Sequence, residues 1–426
     1  MMRVPTESEE NHGDDISRVL RDQPHAAIAH GARPGQRRSS RAARHVGAAS
    51  GQFDPQFREY MRETMALYRR IFDTRNEWTL VVDGSARSAI EAVMVSVLEP
   101  GARALVASFG RFGQLQIEIA RRVGADVRVI EAPWGAVFAP EQVEAALKAH
   151  RPRLLAICHG ETSTTMLQPL AEIGALFRRY EVLLQVDATA SFGGTPLPVD
   201  AWDIDCVTAG LQKCLAGPPG AAPVTLSDRI TEVISRRRHL EEGLRPADYQ
   251  PPDSPIIGSN YFDLAMIMDY WSEKGINHHT EATTMLYAAR ECARIFLAEG
   301  LAPVFTRHAL AGQALVAGVE ALGLKVFGDV KHKIPHITGV QIPEGVDGER
   351  VRAALLNDFG VEIGSSFGPL RGKIWRIGTM GYNARKDAVL VTLSALGAAL
   401  AVEGFRYSRG AGVDAALATY RAAECE

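Results

Sequence analysis

From Gln52 onward the chain alternates short apolar runs with longer amphipathic ones, and this alternation constrains the fold more than any other feature. Apolar runs at 78–82, 104–107, 127–130, 154–158 and 182–186 have strand length. Helical patterns fill 85–98, 112–123, 140–149 and 170–180, after an amphipathic helix at 57–72. Strands separated by helix-length crossovers pair in parallel, with helices over both faces of the sheet. The expected class is therefore α/β, with ligands gathered at the carboxyl ends of the strands. A composition shift over 276–284 precedes a long helix at 286–300. Helices at 309–322, 348–359 and 385–402 and strands at 338–342 and 374–378 then read as a smaller α+β domain. One more helix is expected within 410–426.

Composition removes several function classes. The formal net charge of −3 over 426 residues gives no electrostatic footprint for nucleic acid or an anionic membrane. No apolar run reaches the roughly 18–20 residues that span a bilayer, and the polar N-terminus does not read as a secretory signal. The five cysteines (Cys158, Cys206, Cys214, Cys292, Cys425) form no C-x-x-C pair. Neither a disulfide framework nor a cysteine metal site is expected, and a reducing cytoplasm is the simplest location.

The chemistry concentrates between Glu181 and Gly220. An apolar strand ends in Asp187, where an unpartnered carboxylate would be costly. A second short strand over 206–209 leads to Lys213, beside Gln212 and ahead of the turn Pro218-Pro219-Gly220. Asp is also common as a turn residue at strand exits, and a lone lysine is usually solvated. Together, however, a carboxylate and a lysine at adjacent strand ends can hold a pyridine cofactor. The acid pairs with a protonated ring nitrogen, and the amine forms a Schiff base with an aldehyde. That combination points to pyridoxal 5'-phosphate (PLP) and nitrogen-group chemistry. Gly84-Ser85-Ala86-Arg87 opens a helix after a strand, where backbone N–H groups can meet a phosphate. The hydroxyl run Thr162-Ser163-Thr164-Thr165 follows another strand end, and Phe112 could stack on a ring. Arg376, in an apolar strand, suits a substrate carboxylate or a structural ion pair equally well. His278 and His279 are adjacent and share no helix face, with no acid spaced to help them, so no metal site is expected.

These ordered blocks resemble the class V (fold type I) PLP-dependent aminotransferases, in particular the alanine–glyoxylate and serine–glyoxylate aminotransferase family. The blocks are GSARSAIEA (84–92), FGRFGQ (109–114), HGETSTTMLQPL (159–170), VDATASFGG (186–194), LQKCLAGPPG (211–220), NHHT (277–280) and RIGTMGYNA (376–384). The resemblance covers roughly 52–401. It implies a mostly parallel seven-stranded-type sheet between helices and a smaller C-terminal α+β domain. The expected division is an irregular arm (1–50), a large PLP-binding domain (51–298) and a small domain (299–426). By the same resemblance Lys213 is the Schiff-base lysine and Asp187 the pyridine-nitrogen partner. Ser85, Ala86, Arg87 and Gln212 lie on the phosphate side, Phe112 stacks on the ring, and Thr162 lies near the phenolic oxygen. Arg376 binds the substrate carboxylate. Thr280 reaches the phosphate of a neighbouring subunit, which implies a homodimer.

Two departures narrow the resemblance. Relatives acting on alanine or serine usually carry Tyr where this chain has Asn277, and the stretch before the first helix reads Gly51-Gln52-Phe53-Asp54-Pro55. Both are similar to the (S)-ureidoglycine–glyoxylate branch of purine catabolism. A ureido group needs amide-type donors and acceptors, which Gln52 and Asn277 offer. The expected function is transfer of an amino group from (S)-ureidoglycine to glyoxylate, giving glycine. The alternatives are an alanine or serine donor, or a catalytically silent PLP-binding protein with a defective N-terminus. That last option arises from residues 33–47, RPGQRRSSRAARHVG, which lack the family's G-P-x-x-v-x-P-x-V-L-R-A-M-S pattern. Suitable codons for this segment, read one nucleotide later, can spell GPVNADPRVLRDMSA, so the segment reads as possible out-of-frame translation.

Overall fold

Apart from one edge strand, the sheet is built by strands that are largely buried on both faces, the pattern a parallel sheet between two helical layers demands. The computed structural model describes residues 28–29 and 54–425. The seven strands of the main sheet are β1 (Trp78–Gly84), β2 (Arg103–Ser108), β3 (Asp126–Glu131), β4 (Leu154–Cys158), β5 (Leu183–Asp187), β6 (Cys206–Thr208) and β7 (Gly220–Leu226). Their order is β1-β7-β6-β5-β4-β2-β3. The pairs from β6 to β3 are parallel, whereas β7 runs antiparallel to both of its neighbours.

Helices α1 (Pro55–Phe72), α2 (Ala86–Val97), α3 (Arg111–Arg122), α4 (Pro140–His150) and α5 (Ala171–Arg179) cover the sheet. After β7 come α6 (Asp228–Ser235), α7 (Leu264–Trp271) and α8 (Thr283–Glu299). Asp54 caps α1 by accepting from the Gln56 N–H at 2.8 Å, with Pro55 in the first turn. The C-terminus of α2 is capped from a distance. Arg237, 2% exposed, donates to the Val95, Ser96 and Leu98 carbonyls and to those of Pro255 and Ile256. A guanidinium suits this place because helix C-terminal carbonyls carry partial negative charge.

The C-terminal part has its own sheet and core. Helices α9 (Leu301–Ala321), α10 (Gly348–Phe359), α11 (Lys386–Val402) and α12 (Ala411–Glu424) pack on strands β8 (Ile337–Gln341), β9 (Gly364–Ser365) and β10 (Ile374–Gly378). The strand order is β8-β10-β9, all antiparallel. One apolar cluster runs from Phe57 to Val304 and a second from Ala311 to Tyr420. A small third cluster, Ala190, Cys214, Ile334, Ile337 and Met380, includes the residue next to Lys213. Ile28–Ala29 adds a two-residue parallel pairing to Val361–Glu362. No helix among the described residues is long and apolar enough to cross a membrane. Segment 33–47 and Gln52 lie outside the described residues.

Four elements differ from the sequence expectation. Strand β7 was not anticipated, because Pro223 sits inside it and proline is disfavoured in a central strand. Its missing N–H would point to the same side as its carbonyl, which accepts from the Ala209 N–H at 2.8 Å. That is just beyond the end of β6, so no ladder bond is lost there. Helix α9 starts at Leu301, well before the expected 309, since Pro303 in its first turn forfeits no intrahelical bond. Gly300, at φ 93°, breaks the chain between α8 and α9 in a conformation that favours glycine. The short helices α6 and α7 were not expected either.

Candidate active site

The strand ends open onto a cavity of about 230 Å³. It is lined by Ser85, Ala86 and Arg87 at the start of α2, Phe112 at the start of α3, and Thr162 beyond β4. Asp187 at the end of β5 and Gln212 and Lys213 beyond β6 complete it. Eight of the residues singled out in the sequence are thus brought together. Arg376 joins them through its bonds to the wall. Asn277 and Thr280 do not line the cavity; both are exposed on the segment between α7 and α8.

Asp187 is 4% exposed. Its Oδ1 accepts from the Thr189 N–H at 2.9 Å, and the Cys158 thiol lies 3.9 Å from Oδ2. Burial raises its pKa, opposed by the Thr189 and Cys158 bonds and by the charge of Lys213. Lys213 is 8% exposed, and its amine makes no hydrogen bond or ion pair among the described residues. Burial pushes its pKa down to about 8, the charge of Arg376 pushes the same way, and Cys214 and Asp187 oppose. An amine held near neutral pKa can be both nucleophile and proton carrier.

Two features mark an anion cradle. Ser85 is the N-cap of α2, yet its side chain makes no capping bond, which leaves first-turn N–H groups facing the cavity. Gly84, at φ 112°, turns the chain from β1 into that helix, a backbone angle that side chains rarely adopt. Beside it, Gln212 Oε1 is buried without a hydrogen-bond partner among the described residues.

Glu161 organises the opposite wall and was missed in the sequence. It is fully buried; Oε2 accepts from the Phe112 and Gly113 N–H groups at 2.8 and 3.2 Å. Oε1 accepts from the Ser163 N–H at 2.9 Å and its hydroxyl at 2.7 Å. One carboxylate thereby caps α3 and aims Phe112 at the cavity. Burial raises its pKa and these four bonds oppose that rise. Gly110 is required here, since a Cβ would overlap the Glu161 side chain. The only local signal was an acid amid hydroxyls; the contact that gives it meaning is long-range.

Arg376, on β10, crosses to the large sheet. It donates from Nε to the Ser365 carbonyl at 2.8 Å and from Nη1 to the Thr162 carbonyl at 3.1 Å. Phe367 lies under its guanidinium at 4.8 Å, and the Arg111 guanidinium sits 4.9 Å from Phe112 and 5.0 Å from Phe367. Burial lowers its pKa to about 10, so it stays cationic at neutral pH.

The histidine pair requires a correction. Acids do reach His279: Asp83 Oδ2 lies 3.3 Å and Glu281 Oε2 3.8 Å from its Nε2. The fold supplies from β1 the partner that local spacing did not show.

Comparison with known proteins agrees with this geometry. The chain is 49% identical to the (S)-ureidoglycine–glyoxylate transaminase of Bacillus subtilis over 87% of this chain and 89% of the relative. It is 34% identical to an alanine–glyoxylate aminotransferase of Drosophila melanogaster over 82% of this chain and 86% of the relative. The crystal structure of the Bacillus subtilis ureidoglycine–glyoxylate aminotransferase superposes with a TM-score of 0.87 at 46% identity, covering 94% of this chain and 99% of the other. Pyridoxamine–pyruvate aminotransferase from Mesorhizobium loti superposes at 0.85 with 26% identity, covering 94% and 99%. The family described as "Aminotransferase class-V" matches residues 35–373, and the chain belongs to the class V aminotransferases, with the fold of the type I PLP-dependent enzymes and the activity of a transaminase.

Proposed function

We propose that this transaminase moves an amino group from (S)-ureidoglycine to glyoxylate, giving glycine, with PLP as resident cofactor. The observation that carries the reading is the convergence of Asp187, Lys213 and the uncapped start of α2 on one cavity. The cavity fits the cofactor by its chemistry. Among the described residues, a buried carboxylate has only a distant thiol at one oxygen and a helix N-terminus lacks a side-chain cap. When bound, PLP draws electrons from the substrate α-carbon so that its proton can leave. Asp187 would hold the protonated ring nitrogen. Ser85, Ala86, Arg87 and Gln212 would hold the phosphate. Phe112 would stack on the ring and Thr162 would approach the phenolic oxygen. Lys213 would take the α-carbon proton at Nζ and return it on the far side of the amino nitrogen, a task suited to its lowered pKa. Arg376, already oriented by Ser365 and Thr162, would hold the carboxylate of each substrate in turn.

Substrate choice falls to Asn277 and Gln52, whose amides match a ureido group. Asn277 and Thr280 are exposed and outside their own cavity, which supports a homodimer in which each chain lends this segment to its partner's site. The two large apolar clusters support a large domain over 51–298 and a small one over 299–426. We place the enzyme in the cytoplasm, consistent with Cys158, Cys206, Cys214 and Cys425 being free thiols. The deciding experiment mixes the PLP form with freshly made ureidoglycine, alanine or serine and follows loss of the lysine-linked cofactor's absorbance. Rapid loss with ureidoglycine alone supports the assignment. Rapid loss with alanine or serine moves the donor to theirs, and a normal band with no response to any donor marks a silent protein.

A further inference from the structure

Two arginines face one ring at the mouth of the cavity, and amino transfer as proposed uses only Arg376. Arg111 lies in the first turn of α3, next to Phe112, which lines the cavity. The Arg111 N–H donates to Ser163 Oγ at 2.9 Å, and the Ser163 carbonyl accepts from the Ser366 hydroxyl at 2.6 Å. Ser163 thereby ties the start of α3 to the loop that carries Phe367. The Phe367 ring, 38% exposed, has the Arg111 guanidinium at 5.0 Å and that of Arg376 at 4.8 Å.

The charge at this mouth is out of balance. Arg376 spends two donors on the Ser365 and Thr162 carbonyls, which are uncharged. The side chain of Arg111 makes no hydrogen bond or ion pair among the described residues, so the N–H donors of its guanidinium stay uncommitted. Glu161, an acid that acts on Arg376, has both oxygens engaged by the N–H groups of Phe112, Gly113 and Ser163 and by the Ser163 hydroxyl. Arg352, a further cation that acts on Arg376, is paired with Glu349. The partial negative charge of the ring face offsets some of the repulsion between the guanidiniums of Arg111 and Arg376. It is no full counter-charge, whereas an anion entering beside the ring would be one.

We propose that Arg111 binds the substrate carboxylate together with Arg376, as a second substrate-binding cation for amino transfer. The inference rests on the assignment of Arg376 to that carboxylate. The amino donor and glyoxylate each bring one carboxylate to this mouth. Charge-assisted N–H···O bonds from two guanidiniums hold it more tightly than those from one guanidinium already engaged with carbonyls. Arg111 is half-buried, so it also draws anions inward from solvent, an effect that salt screens. Its guanidinium lies 4.9 Å from the centre of the Phe112 ring, which keeps a bound carboxylate beside the cavity wall.

The test uses the PLP-loaded enzyme and acetate, which carries the charge of glyoxylate without its aldehyde. Acetate binding is followed through the cofactor's absorbance, and steady-state kinetics give the KM for glyoxylate at low and high salt. In Arg111→Met, which keeps an apolar stem against both rings, the Kd of acetate and the KM for glyoxylate should each rise about 10–100-fold, and their dependence on salt should weaken. Arg111→Gln should behave alike and guards against a methionine variant that fails to fold. Arg111→Lys, which restores the charge, should recover part of the acetate affinity. A merely structural Arg111 predicts the reverse, with lower stability or an altered cofactor spectrum in Arg111→Met and acetate binding unmoved. Acetate affinity unchanged in folded, PLP-loaded Arg111→Met and Arg111→Gln but lost in Arg376→Lys overturns this inference alone. Acetate affinity unchanged in all three variants, or absent from the wild type, overturns the Arg376 assignment with it.

Discussion

Replacing Lys213 with methionine should stabilise the cofactor-free protein near neutral pH. The substitution keeps an unbranched chain of similar size and removes the amine. Lys213 is 8% exposed, and burial, with Arg376 adding, pushes its pKa from 10.5 down to about 8. That depression corresponds to about 3 kcal/mol at roughly 1.4 kcal/mol per unit. The sign follows from proton binding. Between about pH 8 and 10.5 the unfolded chain binds more protons at this site than the folded chain, so stability rises with pH across that window. Below it the charged amine carries the whole penalty; above it the penalty is gone. Lys213→Met should therefore exceed the wild type by about 3 kcal/mol near pH 7, and the advantage should shrink towards zero as pH approaches the unfolded value. Denaturant unfolding of both cofactor-free proteins, at equal concentration and several pH values, measures the difference, with matched slopes confirming comparable unfolded states. An advantage that does not change with pH would mean packing, not charge, separates the two. A methionine variant less stable near pH 7 would refute the desolvated amine outright.

Three further outcomes follow from the contacts around the cavity. Arg376→Lys loses the planar fork that spans Ser365 and Thr162, so the KM for glyoxylate should rise about 10–100-fold while the bound cofactor's spectrum stays unchanged; steady-state kinetics and absorbance check this. Glu161→Gln turns an acceptor towards three N–H groups into a side chain that can accept with only one atom, and should cost about 2–3 kcal/mol in denaturant unfolding, with weaker cofactor retention as Phe112 loses its anchor. Arg237→Met strips five buried or part-buried carbonyls of their donor and should cost at least about 3 kcal/mol of stability, while the activity of the folded fraction is retained.

What could be read in the sequence was whatever a single strand exit announces. Asp187 and Lys213 stand out because an acid and an amine ending apolar strands have few cheap fates. The glycine and small residues at 84–86 stand out because a helix start after a strand needs them. The pattern failed where two local rules conflicted. Pro223 argues against a strand, yet β7 sits between β1 and β6, because β6 has already ended where the proline lacks its N–H. Pro303 argues against a helix, yet it opens α9 in the one turn that tolerates it.

The charged residues missed share a different cause. Glu161, Arg237 and Asp83 are ordinary in their own neighbourhoods, and each acquires its role from a partner far along the chain. Glu161 meets the amides of 112 and 113, Arg237 meets the carbonyls that end α2, and Asp83 meets His279. A buried charge is tolerable only when fully paired, so each such residue implies a definite set of partners, but spacing along the chain cannot say which. The sheet order brings β1 beside β7 at the edge, and that leaves Asp83 facing the segment before α8 instead of the main cavity. Topology, not motif, thus separates the carboxylate that faces the cofactor cavity, Asp187, from the one that faces the histidines, although both sit at or next to the last residue of a strand in the same sheet.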